Sequence, residues 1–322
     1  MESNFFAPSI NIQRDFQKDI EYIPTPNAEK VFNNIIDNYR RGFKAFNIVG
    51  AYGTGKSSFL LAFEKTLNNR KLYFDFSPKS FDHIQEFEFL NIIGEYDSII
   101  NSFASKLNIN FNGEVTNREI FDELNNYYKN LAKINKGLVL VVDEFGKFLE
   151  YASHNNPEKE LYFIQSLAEF INDENKDIFL LTTLHQNFHA YALGLTESQQ
   201  KEWEKVQGRL KEITFNEPVE QLLLLASKRL KELYSNNPPN KFHELFQAIE
   251  ISNAFPLSDY FTEDIAKSLL PFDILAASIL TMALQEYGQN QRSLFSFVES
   301  EDHLSLRKFD QKENPYYNLA CV

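Results

Sequence analysis

Cysteine is nearly absent from the sequence: Cys321 is the single one among 322 residues. A disulfide-stabilised scaffold and a metal cluster held by cysteines are therefore excluded. The longest apolar stretch, around residues 274–284, is too short to cross the roughly 30 Å hydrocarbon layer of a membrane. The N-terminus, Met1-Glu2-Ser3-Asn4, also lacks the basic and then apolar segments of a signal peptide. We therefore expect a cytoplasmic protein with no membrane partner.

Basic side chains are in the minority. Lysine and arginine total 32 against 45 for aspartate and glutamate, which gives a formal net charge of −13. This balance argues against broad electrostatic capture of DNA or of an anionic membrane. Glycine and proline, at 11 each, are too few for a disordered or fibrous chain, and 31 phenylalanines can supply much of a core. The length fits two compact units, because domains usually run to about 100–200 residues.

Much of the chain alternates between apolar runs of strand length and amphipathic helices. An irregular arm over residues 1–26 comes first, and a predicted helix starts after Asn27. The predicted strands are residues 43–49, 71–76, 87–93, 138–142, 178–183 and 213–215, and the further helices are 56–68, 98–107, 117–134, 158–171 and 197–206. This alternation predicts the α/β class, with a parallel sheet between helices in a three-layer αβα core.

The strand patterns end near Asn216–Pro218. Beyond this boundary the sequence predicts helices only, at residues 218–235, 240–250, 258–269, 272–287 and 291–298. The predicted organisation is an arm at 1–26, a core at 27–217 with an insertion near 79–136, and a helical domain at 218–322.

A glycine-rich turn follows the first predicted strand. Residues 50–57, GAYGTGKS, match the P-loop pattern GxxxxGK[ST]. Glycines allow successive N–H groups to face a phosphate, and the next helix directs its positive end to the same place. Lys56 is expected to reach the β- and γ-phosphates and Ser57 to bind Mg²⁺, so that ATP and Mg²⁺ are the predicted cofactors. The predicted nucleotide-binding residues are Gly50, Ala51, Tyr52, Gly53, Thr54, Gly55, Lys56, Ser57 and Ser58.

A chance match in a glycine-rich turn is the alternative interpretation of this segment. Its position between an apolar strand and an amphipathic helix disfavours that alternative, because the phosphate-binding mechanism requires this context.

Two acidic residues directly follow the apolar run Leu138–Val142. A continuous β-branched run is typical of a central parallel strand, and ligands bind at the carboxyl edge of such sheets. The arrangement resembles a Walker B motif, in which Asp143 would hold Mg²⁺ and Glu144 would polarise the attacking water. A pair of solvated acids that cap the strand is the alternative.

Polar residues also follow the strand at 178–183. The segment Thr183-Leu184-His185-Gln186 resembles the AAA+ and STAND group of P-loop ATPases, in which a polar residue beside Walker B senses the γ-phosphate. The resemblance implies this role for Thr183, His185 or Gln186, although the family's usual Asn does not align, since Asn187 lies too far along. For His185 a buried, hydrogen-bonded structural role is the alternative.

Two arginines add to the resemblance. Arg209, in the phrase QGR before the last predicted strand, is similar to the AAA+ arginine finger, which stabilises charge on a neighbouring subunit's nucleotide. We expect Arg209 at the sheet edge that carries the catalytic groups. Arg292, in GQNQRSLFSF, is similar to the lid arginine, or sensor 2, of initiator-type and KAP-type ATPases. An ordinary surface arginine is the alternative for each.

The resemblance spans roughly residues 27–300 and implies a P-loop NTPase core followed by an all-helical lid. The interval between Lys56 and Asp143 is longer than in a minimal AAA+ core, which is the reason for placing an insertion near 79–136. The phrases DEFGK at 143–147, LHQ at 184–186 and QGR at 207–209 also look like those of uncharacterised bacterial ATPases found in phage-defence loci.

The leading functional hypothesis is an ATP-hydrolysing motor or switch that works as a homo-oligomer or with partner protein subunits. A nucleotide-gated interaction module that seldom hydrolyses ATP is the first alternative. A small-molecule P-loop kinase is the second, disfavoured by the lack of an arginine-rich lid and by Glu144. Nucleic-acid translocation follows from family analogy alone, and the net charge gives it no support.

Overall fold

A computed structural model describes residues 10–18, 20, 22–76, 81, 83–109, 115–193, 195–216, 219–233, 237–252, 262–279, 297–298, 305–308 and 316–317. The chain divides into two compact units. The first consists of Ile10–Ala51 and Lys56–Phe215, and the second includes Tyr52–Gly55 and the described residues from Asn216 onward. In these described ranges, no helix is both long enough and apolar enough to cross a membrane.

The first unit is built on a parallel sheet of five strands, which confirms the predicted α/β class. The strands, in chain order, are β1 (Ala45–Val49), β2 (Glu86–Ile93), β3 (Lys136–Asp143), β4 (Ile178–Leu184) and β5 (Lys211–Thr214). Their order across the sheet is β2-β3-β4-β1-β5, so β4 separates β1 from β3. All carboxyl ends therefore meet at one edge of the sheet.

Helices cover both faces of this sheet. They are α1 (Pro26–Arg40), α2 (Lys56–Leu67), α3 (Ile99–Lys106), α4 (Asn117–Ala132), α5 (Gly146–His154), α6 (Pro157–Ile171) and α7 (Glu197–Gln207). One core lies between the sheet and α1 and α2, and a second lies between the sheet and α3 to α7. Alternate residues of β3 face the two cores: Val139 and Val141 face the first, whereas Leu138 and Leu140 face the second. This explains why β3 is apolar throughout.

Phenylalanine dominates the core under α1 and α2. Phe32 stacks on Phe74 with ring centroids 4.6 Å apart, and its ring also lies 5.3 Å from that of Phe63. Phe63 in turn meets Phe179 of β4 at 6.0 Å. The helix that follows the P-loop is therefore held to the middle of the sheet by aromatic packing.

One buried polar pair fixes how β1 and β4 align. The hydroxyl of Thr182 donates to Oδ1 of Asn47 over 3.0 Å, and both residues are only 1% exposed. The two residues lie opposite each other in the ladder. A shift of the register would leave a buried amide without its partner, which costs about 1–3 kcal/mol. The pair therefore selects the observed register, and with it the relative positions of the two strand ends.

The N-terminal arm packs against the edge strand β2. Ile12 is buried, Nε2 of Gln13 donates to the backbone carbonyl of Asn91 over 3.0 Å, and Nδ2 of Asn91 donates to the carbonyl of Ile12 over 3.2 Å. The outer edge of β2 is thus partly covered by the arm.

One strand predicted for the first unit is wrong, and one helix of this unit was not predicted. Residues 71–76 do not form a strand; their alternating aromatic residues instead pack on α1 and α2, as Phe74 does on Phe32 and Phe59. The structure also contains a helix that we did not predict, α5, which begins after Phe145 and ends before Pro157. Asn156, with φ of 53°, separates α5 from α6 and accepts a hydrogen bond from the amide of Lys159.

The interval 79–136, expected as an insertion, holds β2, α3 and α4. β2 pairs with β3 from Glu86↔Lys136 to Ile93↔Asp143, so this part belongs to the sheet. Glu160 of α6 anchors α3: Ser98 Oγ donates to its Oε1 over 2.5 Å and the Ile99 amide to its Oε2 over 3.2 Å. α3 is thereby fixed beside the carboxyl end of β2.

The described part of the second unit beyond Phe215 contains helices and no strand. α8 (Val219–Leu233), α9 (Phe242–Ser252) and α10 (Glu263–Ser268) are followed by a helical stretch over residues 274–279. Leu230, Phe246, Leu269 and Phe272 contribute to its core. Of the predicted helix 291–298, all but residues 297–298 lie outside the described residues.

Candidate active site

The P-loop connects the end of β1 to the start of α2. The Gly50 amide donates to the carbonyl of Leu184 over 3.0 Å, which ties the start of the loop to β4. Gly53 and Gly55 have φ of 74° and 87°, in the region that glycine adopts at no steric cost. Lys56, Ser57 and Ser58 form the first turn of α2. The amides of that turn have no partner within the helix, which makes them suitable donors for phosphate oxygens.

The Lys56 ammonium folds back onto the loop. Its Nζ donates to the carbonyl of Gly50 over 2.5 Å and to that of Ala51 over 2.8 Å. Burial lowers its pKa to about 8, while Asp143 and Glu144 act in the opposite direction. A phosphate is a stronger partner for an ammonium than neutral carbonyls are, because the hydrogen bond is then assisted by charge on both sides.

Asp143 is the point at which three elements meet. Its Oδ2 accepts a hydrogen bond from Ser57 Oγ of α2 over 2.7 Å, and its Oδ1 accepts one from Thr183 Oγ1 of β4 over 2.5 Å. Asp143 is 5% exposed and Thr183 1% exposed. The sequence-predicted residues Ser57, Asp143 and Thr183 are therefore brought together at the carboxyl edge of the sheet.

The oxygens of Ser57 and Asp143 suit Mg²⁺, which prefers hard oxygen ligands and retains several waters beside substrate phosphates. Within the described ranges, no group of three or more His, Cys, Asp or Glu side chains could hold a metal ion by itself. A Mg²⁺ ion held by Ser57 and Asp143 would take its further ligands from water or from the phosphates of a nucleotide.

Glu144 has a constrained backbone. Its φ is 55°, which is uncommon for a residue other than glycine, and its amide donates to Thr183 Oγ1 over 2.9 Å. The next amide, that of Phe145, donates to the Thr183 carbonyl over 3.0 Å. The Glu144 carboxylate forms an ion pair with Lys147, and the side chains of both residues are 46% exposed. The chain thus turns sharply after β3 and directs Glu144 toward solvent.

Gly94 makes this turn possible. Its amide donates to the carbonyl of Asp143 over 2.7 Å, and a Cβ atom at this position would lie 2.0 Å from the carbonyl oxygen of Glu144. We did not identify Gly94 from the sequence. The only sequence signal for Gly94 is its position directly after an apolar strand. Such a glycine indicates that another backbone segment lies close to it, but the segment can be named only when the neighbouring strand is known.

His185 has a partner within its own loop. The Tyr191 hydroxyl lies 3.0 Å from His185 Nδ1, and that hydroxyl occupies the space where a Cβ of Gly146 would lie, at 2.2 Å. Burial lowers the pKa of His185, while the charge of Glu150 acts in the opposite direction. The close approach of the Tyr191 hydroxyl to Gly146 attaches the loop after β4 to the start of α5.

Arg209 does not lie where we expected it. β5 runs parallel to β1, with Lys211 opposite Phe46, so a residue before β5 lies at the amino edge of the sheet and not at the carboxyl edge that carries the candidate site. There its Nη2 forms an ion pair with Glu169 of α6 over 2.9 Å, and its Nη1 donates to the carbonyl of Lys205 over 2.8 Å. The expectation overlooked that the two ends of a parallel strand belong to opposite edges. Arg292 lies outside the described residues.

Comparison with known proteins gives structural similarities only. No protein-family model matches the chain, and no curated protein matches it. The ORC2 protein of Aeropyrum pernix, solved as ADPNP–ADP complexes, is 16% identical over 88% of this chain and 70% of that chain, with a TM-score of 0.45. Drosophila ORC bound to DNA is 14% identical over 88% of this chain and 57% of that chain, with a TM-score of 0.45. C. elegans PCH-2 is 13% identical over 85% of this chain and 67% of that chain, with a TM-score of 0.43.

The close approach of Gly94 to Glu144 leads to a stability prediction. Gly94→Ala should lower the free energy of unfolding by about 1–3 kcal/mol, because the new methyl group meets a backbone atom that cannot rotate away. Urea unfolding measures this value. Gly208→Ala is the matched control, since a Cβ there lies 3.5 Å from its nearest neighbour. Equal effects of the two substitutions would contradict the assigned contact.

Proposed function

We propose that this protein binds ATP with Mg²⁺ and hydrolyses it. The observation that carries the proposal is the 2.7 Å hydrogen bond from Ser57 to Asp143. It brings the first turn of the P-loop helix and the acidic end of β3 to one place, with Glu144 beside them. Phosphate binding, metal binding and water activation require these three groups together.

Each residue has a role that follows from its position. The loop amides and the start of α2 bind the phosphates, and Lys56 exchanges its carbonyl partners for the β- and γ-phosphate oxygens. Ser57 and Asp143 would hold Mg²⁺, which neutralises charge that develops on the transferred phosphoryl group. Thr183 orients Asp143 and fixes the backbone of Glu144 through the same hydroxyl. Glu144, half exposed, accepts a hydrogen bond from the attacking water and orients it.

The proposal includes a place in the AAA+ and STAND group. It is supported by the P-loop, by the acidic pair after β3, and by Thr183 on the strand beside β3, where the group carries its γ-phosphate sensor. We propose residues 27–217 as the ATPase core, residues 218–322 as its helical lid and residues 1–26 as an arm. Arg292 would act from the lid on the nucleotide. His185, bonded to Tyr191, would support the sensor loop rather than contact phosphate.

We further propose that the protein works in an assembly, as a homo-oligomer or with partner subunits. The position of Arg209 at the amino edge separates it from its own P-loop, so a role as an arginine finger requires a neighbouring subunit. The similarity of three phrases to defence-locus ATPases favours an anti-phage role for this assembly. A negative net charge of −13 favours a protein partner over DNA.

Two substitutions separate binding from hydrolysis. Lys56→Ala should abolish ATP binding, because the phosphates lose their main charge partner.

Glu144→Gln should retain ATP binding and lower the multiple-turnover rate of ATP hydrolysis by roughly 10²- to 10⁴-fold, because an amide cannot act as a base toward water. Titration with labelled ATP and a phosphate-release assay measure the two quantities.

The controls are Lys129→Ala and Glu123→Gln, both exposed on α4. Unchanged ATP affinity in Lys56→Ala would show that the P-loop is not the site. A normal rate in Glu144→Gln would exclude Glu144 as the base. Tight binding without multiple turnover in the unaltered protein would favour the nucleotide-gated module instead.

The arginine finger predicts a dependence on protein concentration. If Arg209 acts on a neighbour, the ATPase rate per chain should rise with concentration, and Arg209→Ala should lower turnover by ~10³-fold or more without loss of ATP binding. Mixing Arg209→Ala with Lys56→Ala should partly restore activity, because the second variant still supplies Arg209 to its neighbour.

Glu169→Ala provides the matched control for Arg209, because it removes the ion pair but keeps the arginine. An equal loss of turnover in Glu169→Ala, a rate independent of concentration and no restoration in the mixture would leave Arg209 with a structural role. These results would favour a monomeric switch.

A further inference from the structure

The ion pair between Glu144 and Lys147 lies next to the acidic strand end. Lys147 is the second residue of α5, and its amide donates to the carbonyl of Glu144 over 3.1 Å. The two side chains are equally exposed, at 46%. An ion pair of this exposure adds little to stability, about 0–1 kcal/mol. What the ion pair can determine is the orientation of the carboxylate.

The backbone at Glu144 already has a single arrangement. The positive φ, the close approach of Gly94 and the hydrogen bond to Thr183 fix the direction in which the side chain leaves the chain. The remaining freedom lies in the side-chain torsions. A half-exposed glutamate occupies several rotamers, and a base that must meet one water molecule needs one of them.

The residue that supplies the ammonium is itself well anchored. Phe145 and Phe148, on either side of Gly146 and Lys147, are each 1% exposed and pack in the core between the sheet and α3 to α7. The Phe145 amide is also bonded to the Thr183 carbonyl. The start of α5 is therefore attached to β4, and Lys147 leaves it at a defined position relative to Glu144.

We propose that Lys147 is a positioning residue for Glu144: its ammonium holds the carboxylate in the orientation that accepts a hydrogen bond from the attacking water. This inference rests on the proposed ATPase function. One carboxylate oxygen pairs with the ammonium, and the carboxylate retains further lone pairs for water. Lys147 acts through Glu144 and not on the phosphates, so it contributes to turnover and not to ATP affinity.

The test uses two variants of nearly the same length. Lys147→Met removes the charge and should lower kcat roughly 10- to 100-fold, the range expected when a catalytic group loses its alignment. The Kd for ATP should stay within about twofold. Lys147→Arg, which keeps the charge, should recover most of the lost kcat. Lys129→Met, exposed on α4, is the control and should leave both constants unchanged.

A double variant tests whether Lys147 affects turnover through Glu144. In the Glu144→Gln background, Lys147→Met should cause no further loss of turnover, because the group that it positions is already absent. A further tenfold loss in that background, a large loss of ATP affinity in Lys147→Met, or an unchanged kcat would each overturn the proposal. Equal losses in Lys147→Met and Lys147→Arg would overturn it as well.

The proposed ATPase function and the proposed role of Lys147 can be disproved separately. A normal rate in Glu144→Gln would disprove the assignment of the base whatever Lys147 does. If Glu144→Gln is inactive and Lys147→Met has the normal kcat, only the positioning role is disproved. Thermal unfolding of each variant shows whether it is folded. Should Lys147→Met not fold, Lys147→Gln, which also removes the charge, takes its place with the same expected loss of kcat.

Discussion

The parallel pairing of β1, β4 and β3 is the constraint on which the candidate site depends. Because the three strands run in one direction, the loop after β1, the acidic pair after β3 and the polar residues at the end of β4 share one edge. The alignment is set by buried contacts, among them the hydrogen bond between Thr182 and Asn47. A change of register in the interior would therefore move a residue of the candidate site at the edge.

A single side chain, the hydroxyl of Thr183, links the end of β4 to the end of β3. It bonds both to the carboxylate of Asp143 and to the backbone amide of Glu144, and so couples two residues with different proposed roles. Asp143 is buried and bonded at both oxygens, whereas Glu144 is half exposed. Neighbouring carboxylates thus receive different environments, which suits one for a metal ion and the other for water.

Elements could be predicted from the sequence where both the residue pattern and its physical cause are local. The apolar run at 138–142 and the P-loop context predicted β3, β1 and α2, since burial on both faces and a glycine turn leave clear signals. The strand predicted at 71–76 was wrong because aromatic residues alternate whether they face a sheet or two helices. The expected edge for Arg209 was wrong because strand direction had not been applied to the residue before β5. Gly94 and Lys147 could not be predicted, since their roles depend on where Glu144 lies in space.

The arm on β2 has a consequence for how copies of this protein can associate. An uncovered edge strand offers its backbone groups to the strands of other molecules and promotes uncontrolled, open-ended aggregation. Here the side chain of Gln13 donates a hydrogen bond to the backbone carbonyl of Asn91 on the edge strand β2. The opposite edge of the sheet is β5, which has only four residues. The outer edge of β2 is thus partly covered, and the other edge of the sheet is short. Both features disfavour open-ended strand addition relative to contacts through side-chain surfaces, which can be reversible and stoichiometric.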